Sequence, residues 1–182
     1  MTQNSSTMLH ALAARGPAPE YAAELHTFGQ FVGSWELNCT EYEPDGTSRT
    51  LPGEWHFDWV LEGRAIQDVW ILPSREQRAR PGTEAVEWGT AVRFYDPAIA
   101  AWRVSWSGPG RGRSYAFVAR ERGGAIVLEG DGDAGAQLRW RFSEITSDRF
   151  RWTNEIRWPD EDWSLQQEMD VCRLGAVTLQ RA

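Results

Sequence analysis

Tryptophan recurs in this chain with a two-residue period, and that rhythm limits the folds open to it. Trp55 and Trp59 flank Phe57, and Trp102 and Trp106 flank Val104. Leu138, Trp140 and Phe142 share one parity, as do Phe150, Trp152, Ile156 and Trp158. A β-strand sends alternate side chains to opposite faces, so each run predicts a strand with one aromatic face. Eleven tryptophans lie in 182 residues. Many such strands in series need a closed or sandwiched architecture to bury their aromatic faces. Aromatic walls facing one another can also enclose a space for an apolar or planar molecule.

Turn signals divide the chain into about ten such strands, near 34–43, 53–61, 63–72, 86–96, 100–107, 113–121, 124–130, 136–144, 149–158 and 163–173. Pro44-Asp45-Gly46, Glu62-Gly63, Asp96-Pro97, Gly108-Pro109-Gly110, Gly123-Gly124, Asp131-Gly132 and Pro159-Asp160 separate them. Residues 73–82 form the longest expected loop. Hairpin-sized gaps favour an all-β, single closed antiparallel up-and-down barrel, with a two-sheet sandwich as the alternative. No fixed repeat supports a propeller. Tyr21, Leu25, Phe28 and Val32 fall at helical spacing, so a short helix over 20–31 precedes the first strand. The expected organisation is a flexible N-terminal tail over 1–19 and one barrel domain over 20–182, cytoplasmic in location, since residues 1–9 lack the pattern of a secretory signal.

The net charge of −7 disfavours nucleic acid and anionic membranes as partners; oligomeric state stays open. All 19 basic residues are arginine, which removes lysine Schiff-base chemistry. Cys39 and Cys172 are too few for a disulfide framework or a zinc site and are expected to be free thiols. Glu54, His56 and Asp58 share the outward parity of one strand; an exposed polar row is favoured over a metal site there, and no metal or cofactor is expected. Arg139, Arg141, Arg149, Arg151 and Arg157 form an outward stripe that nearby acids turn into a mixed, solvated face.

Phe31-Val32-Gly33-Ser34-Trp35 opens the first strand after a helix. This Gly-x-Trp resembles the calycin superfamily of lipocalins, fatty-acid-binding proteins and nitrobindin-like barrels. Leu61-Glu62-Gly63-Arg64, Arg93-Phe94-Tyr95-Asp96-Pro97 leading to Trp102, and the final strand ending in Arg173 bring the chain closest to a bacterial lipocalin-like family known mainly by fold. The resemblance covers most of 25–174. It implies that Trp35 packs across the closed end of the barrel with Arg173 over its ring, a cation–π contact of about 0.5–2 kcal/mol. Nitrobindin-like barrels hold haem through a late histidine, and no histidine follows His56.

Parity places Trp35, Leu37, Cys39 and Glu41 inside, with Trp55, Phe57 and Trp59, then Ile66, Asp68 and Trp70, then Trp88, Thr90, Val92 and Phe94. Later strands add Trp102, Val104, Trp106, Tyr115, Phe117, Leu138, Trp140, Phe142, Phe150, Trp152, Asn154, Ile156, Trp158, Trp163, Leu165, Gln167, Met169, Val171 and Arg173. Asp68, Thr90, Tyr115, Asn154, Gln167 and Glu41 are the polar residues on this apolar face. Each is either paired internally or meets a ligand, because an unpartnered buried polar group is costly. The expected ligand site is Trp55, Trp59, Asp68, Trp70, Thr90, Trp102, Trp106, Tyr115, Trp140, Trp152, Asn154 and Gln167, binding a small apolar or aromatic molecule. Two alternatives stand beside it. One is a cofactor-free isomerase, cyclase or hydratase with Asp68 as general base and Tyr115 or Glu41 as acid. The other is an interaction module whose barrel is filled by its own side chains.

Overall fold

The computed structural model describes residues 6–175. Ten antiparallel strands close into a barrel in the order β1-β10-β9-β8-β7-β6-β5-β4-β3-β2. They are β1 Gly33–Tyr42, β2 Ser48–Val60, β3 Ala65–Leu72, β4 Glu87–Asp96, β5 Ala101–Gly108, β6 Arg113–Arg122, β7 Ala125–Asp131, β8 Gln137–Ser143, β9 Arg149–Arg157 and β10 Ser164–Arg173. Every strand pairs with its sequence neighbour, and β1 closes on β10 through Trp35↔Arg173 to Glu41↔Gln167. Closure leaves no free sheet edge and turns one face of every strand toward a common core.

Three short helices accompany the barrel: α1 Thr7–Leu12, α2 Ala22–Gly29 and α3 Arg75–Arg78. Helix α3 sits within the segment expected as a loop. Residues 13–18 run back along the wall, where Ala14 N donates to Trp59 O and Ala18 N to Gly63 O at 3.0 Å each. Residues 1–5 of the expected tail lie outside the described residues.

Helix α2 plugs one end. Its Phe28 and the following Phe31 are fully buried. Phe28 meets Trp102 at 4.9 Å and Phe142 at 5.9 Å between ring centroids, while Phe31 meets Phe150 at 4.8 Å and Phe142 at 5.1 Å. Beside them the Arg173 guanidinium lies 4.0 Å from the Trp35 ring centroid. It donates to Gln30 O and Val32 O at 2.9 Å and to Ser147 O at 2.8 Å. The Trp35 indole donates to Phe31 O at 2.7 Å. Gly33 has φ +129°, and a Cβ there would lie 2.7 Å from an Arg173 nitrogen. The glycine of Gly-x-Trp is therefore the residue that lets the arginine pass.

Two strands depart from the parity expected of them. In β4 the inward residues are Glu87, Gly89, Ala91 and Arg93. Trp88 and Phe94 are 50% and 44% exposed, while Glu87 and Arg93 are 1% exposed. Register explains this: Asp68 stands opposite Ala91 and Ile66 opposite Arg93, and directly opposed residues share a face. Trp88, Thr90, Val92 and Phe94 thus face outward. In β10 the register shifts between Leu165 and Gln167, and such a bulge moves every side chain before it to the other face. Leu165 is 39% exposed. Trp163 packs on the outer wall beneath the guanidinium groups of Arg139 and Arg157, at 4.1 and 5.0 Å. Trp158, just past the end of β9, is 39% exposed.

Candidate functional site

Five tryptophans form a belt around the inside of the barrel. Ring centroids are 6.1 Å apart for Trp55 and Trp152, 5.2 Å for Trp152 and Trp140, 5.5 Å for Trp140 and Trp106, and 6.4 Å for Trp106 and Trp70. Trp70 stands opposite Trp55 in the sheet and lies 6.3 Å from Trp152 across the core. The belt follows from strand alternation: each tryptophan is an inward residue on a different strand, β2, β3, β5, β8 or β9. Tyr115 stacks on Trp106 at 5.7 Å and is half-buried. Trp59 and Trp102 are buried nearer α2, with Trp102 against Phe28.

The end of the barrel opposite α2 gathers the β1–β2, β3–β4, β5–β6, β7–β8 and β9–β10 connections. A hydrogen-bonded chain crosses it. The Trp140 indole donates to Asn154 Oδ1 at 3.0 Å, Asn154 Nδ2 to Gln167 Oε1 at 3.3 Å, and Gln167 Nε2 to Glu41 Oε1 at 2.6 Å. Glu41 also accepts from Arg49 Nε at 2.8 Å and from Arg111. Arg111 comes from the Gly108–Arg113 hairpin, so its ion pair with Glu41 straps that hairpin across the mouth. Burial pushes the Glu41 carboxyl up, but the charge of Arg111 and hydrogen bonds from Arg111, Arg49 and Gln167 outweigh it, leaving it below the ordinary glutamate range. An acid held ionised in this way does not suit the proton-donor role assigned to Glu41 above. Glu87 Oε1 accepts from the backbone N–H groups of Trp88 and Gly110 at 2.9 Å each.

Asp68 is fully buried and points inward, where both its oxygens are engaged. Oδ1 accepts from Ala91 N at 3.0 Å, and Oδ2 pairs with Arg93. A general base must reach the proton it abstracts with a free lone pair, and both Asp68 oxygens are turned to protein donors instead. Its partner Arg93 lies between the rings of Phe28 and Phe57, at 5.1 and 5.4 Å. Thr90, expected in the ligand site, is on the outer wall: its hydroxyl contacts Asp68 O, and Gln67 Nε2 donates to it at 3.0 Å. Sequence parity missed Arg93, Arg111 and Glu87. A charged residue two positions from Ala91 and four from Gly89 on the same strand face was the available signal for Arg93.

Several buried polar atoms have no hydrogen-bond partner: the indole nitrogens of Trp55, Trp70 and Trp152, Nε and Nη1 of Arg93, and Oε2 of Glu87. Each buried unpartnered donor costs about 1–3 kcal/mol, so three adjacent indoles in this state are an unusual concentration of unmet demand.

The outer wall carries its own polar groups. His56 bridges Ser34 Oγ at 2.9 Å and Glu54 Oε2 at 3.0 Å, while Asp58 turns to the backbone N–H of Trp59. Arg139 pairs with Glu155 and Arg151 with Glu168, making that face mixed in charge. Surface cavities of about 330 Å³ beside Tyr21, Leu61 and Phe94, and about 500 Å³ between α1 and the β2–β3 wall, also lie outside the barrel. Among the described residues no helix is long and apolar enough to cross a membrane.

No family model and no curated protein matches the sequence. Solved structures of similar fold include Rv2717c from M. tuberculosis, 11% identical, with a TM-score of 0.55 over 86% of this chain and 98% of that one. They also include the S-type phycobiliprotein lyase CPES from Guillardia theta, 13% identical, with a TM-score of 0.54 over 81% of this chain and 90% of that one. At such low identity the likeness establishes a shared barrel plan and nothing finer.

Proposed function

We propose that the barrel binds a small aromatic molecule inside its tryptophan belt, entering at the end strapped by Arg111. The observation that carries this reading is the cluster of three mutually adjacent indoles, Trp55, Trp70 and Trp152, whose buried N–H groups have no partner. A core selected only to be filled has little use for indole at these positions, since phenylalanine or leucine supplies apolar volume with no donor to satisfy. Aromatic walls with a few aimed polar groups are the usual composition of a small-molecule site. That a phycobiliprotein lyase is built on the same plan agrees with the reading at the level of fold. The resemblance to calycin barrels points the same way.

The test is a screen of flavonoids, polyketide-like aromatics, terpenoids and fatty acids by intrinsic fluorescence and thermal melting. A planar aromatic ligand should perturb tryptophan emission and raise the melting temperature, because a molecule bound only by the folded state stabilises it by mass action. If no compound moves either signal, the barrel is an interaction module and its working surface is the outer wall.

A further inference from the structure

The polar atoms of the lumen also say what kind of molecule the belt is built for. Resting on the lumen-binding reading, we propose that the ligand is a neutral, planar, conjugated carbonyl compound, held by hydrogen bonds from the indoles of Trp55, Trp70 and Trp152 to its oxygen.

A census of donors and acceptors leads there. Nearly every acceptor on the lumen face is already used. Asp68 takes Ala91 N and Arg93; Glu41 takes Arg49, Arg111 and Gln167; Asn154 Oδ1 takes Trp140; and Gln167 Oε1 takes Asn154. The exceptions are Glu87 Oε2, which lies beside Gly108 at the mouth, where an added Cβ on that glycine would come within 2.6 Å of it, and the half-buried Tyr115 hydroxyl, whose ring stacks on Trp106 and which can donate as well as accept. The unused groups at the belt are donors, three indole N–H groups on touching rings, and two further N–H positions of Arg93 lie deeper against Phe28 and Phe57. A site with spare donors and no spare acceptors at its centre recognises an acceptor.

Charge then separates a carbonyl from a carboxylate. Arg93 is neutralised by Asp68. Arg49 and Arg111 face Glu41, and Glu87 lies at the same end. Three acids thus stand against three arginines, and the indoles are neutral. A buried anion here would have no cation of its own, which is costly in an apolar interior. The flanking rings of the belt complete the description, since flat aromatic faces pair best with a flat conjugated ligand.

Three probes with one ring system test this: 9-fluorenone, fluorene and fluorene-9-carboxylate, with affinities measured by fluorescence titration and calorimetry. Apolar transfer alone favours fluorene, because the carbonyl must be desolvated. The proposal expects the opposite order, with 9-fluorenone bound at least about tenfold tighter than fluorene and the carboxylate weakest. Trp70→Phe and Trp152→Phe, each checked by melting temperature, should shrink the fluorenone-to-fluorene affinity ratio toward one, whatever the loss of wall area does to both affinities alike. Fluorene binding as tightly as fluorenone, the carboxylate binding best, or a ratio indifferent to both variants would overturn the carbonyl assignment and leave lumen binding standing. If none of the three binds, the assignment of a planar conjugated carbonyl ligand falls, and the broad screen above decides whether lumen binding falls with it.

Discussion

Arg173 shows how one side chain can close a fold. Its planar fork satisfies three backbone carbonyls, on Gln30, Val32 and Ser147, and covers the Trp35 ring. Lysine carries the same charge but cannot hold that fork. Arg173→Lys should therefore lower stability by about 1–3 kcal/mol in urea denaturation with little change in slope. A loss indistinguishable from zero would mean that the closed end does not depend on it. The two cysteines differ in reactivity for an equally local reason. Both are free thiols; Cys39 points into the core and Cys172 is exposed on the outer wall. Burial, reinforced by the nearby Glu41 charge, pushes Cys39 up to about 12, so almost no reactive thiolate exists near neutral pH. Mild alkylation of the folded protein should label Cys172 alone, read by peptide mass, with Cys39 reacting only after denaturation. Glu54 supplies an acid-sensitive contact. Burial lifts its carboxyl, but hydrogen bonds from the Arg75 side chain and backbone and from His56, together with the Arg75 charge, bring it from 4.5 to about 2. A depressed carboxyl contributes stability above its unfolded value and loses it as pH falls through the folded one. Glu54→Gln should be less stable than the parent at neutral pH, with the gap closing as pH falls from about 4.5 to 2 in denaturation measured across pH.

At the scale of elements, the β5–β6 hairpin is the part most directly tied to access. Gly110 lies against Val86 O and Glu87, where a Cβ would come within 2.7 Å of the carbonyl, so the hairpin tip is pressed onto the rim, and Arg111 fastens it to Glu41. Arg111→Ala should release the strap. With the lumen wall intact, ligand association and dissociation should both quicken, measured by stopped-flow fluorescence, while the equilibrium affinity changes less than either rate. An unchanged pair of rates would place the entry elsewhere. The strands also show where sequence reading works and where it stops. All ten were legible because hairpin turns mark their ends and aromatic parity marks their faces. Strand β2 begins at Ser48, five residues before the start expected at 53, because Ser48, Arg49 and Thr50 carry no apolar signal. The faces of β4 and the start of β10 were misread for two different reasons. In β4 the largest aromatics, Trp88 and Phe94, lie outside, and the inward face carries Glu87 and Arg93. Hydrophobicity assigns that strand backwards; only the register against Asp68 corrects it. In β10 a single bulge reverses parity before Gln167, and local sequence carries no mark of it. The same limits applied to the site. The relay from Trp140 through Asn154 and Gln167 to Glu41 joins four residues whose inward parity was readable. Of the partners that decide that Asp68 and Glu41 are occupied, Arg93 becomes visible through the β3–β4 register, and Arg111 only when strands far apart in sequence close into the barrel.

The whole molecule is a closed wall with one end plugged and the other strapped. Helix α2 and the Trp35–Arg173 pair seal the first end with dry aromatic packing. The second end is polar, held by ion pairs and a hydrogen-bonded relay whose parts can separate at modest cost. Between them lies the tryptophan belt with its unmet donors. Under the proposed function, this asymmetry would give a ligand one way in and a defined place to stop. The most direct measurement of that account is the set of indole N–H resonances in a ¹⁵N-labelled sample titrated with 9-fluorenone and fluorene. Tryptophans of the belt and of the outer wall report separately in one spectrum. Binding in the lumen predicts that the signals of Trp55, Trp70 and Trp152 move on titration while those of the outer-wall residues Trp88 and Trp163 stay still. Shifts confined to Trp88 and Trp163, or a spectrum unmoved by either compound, would contradict it.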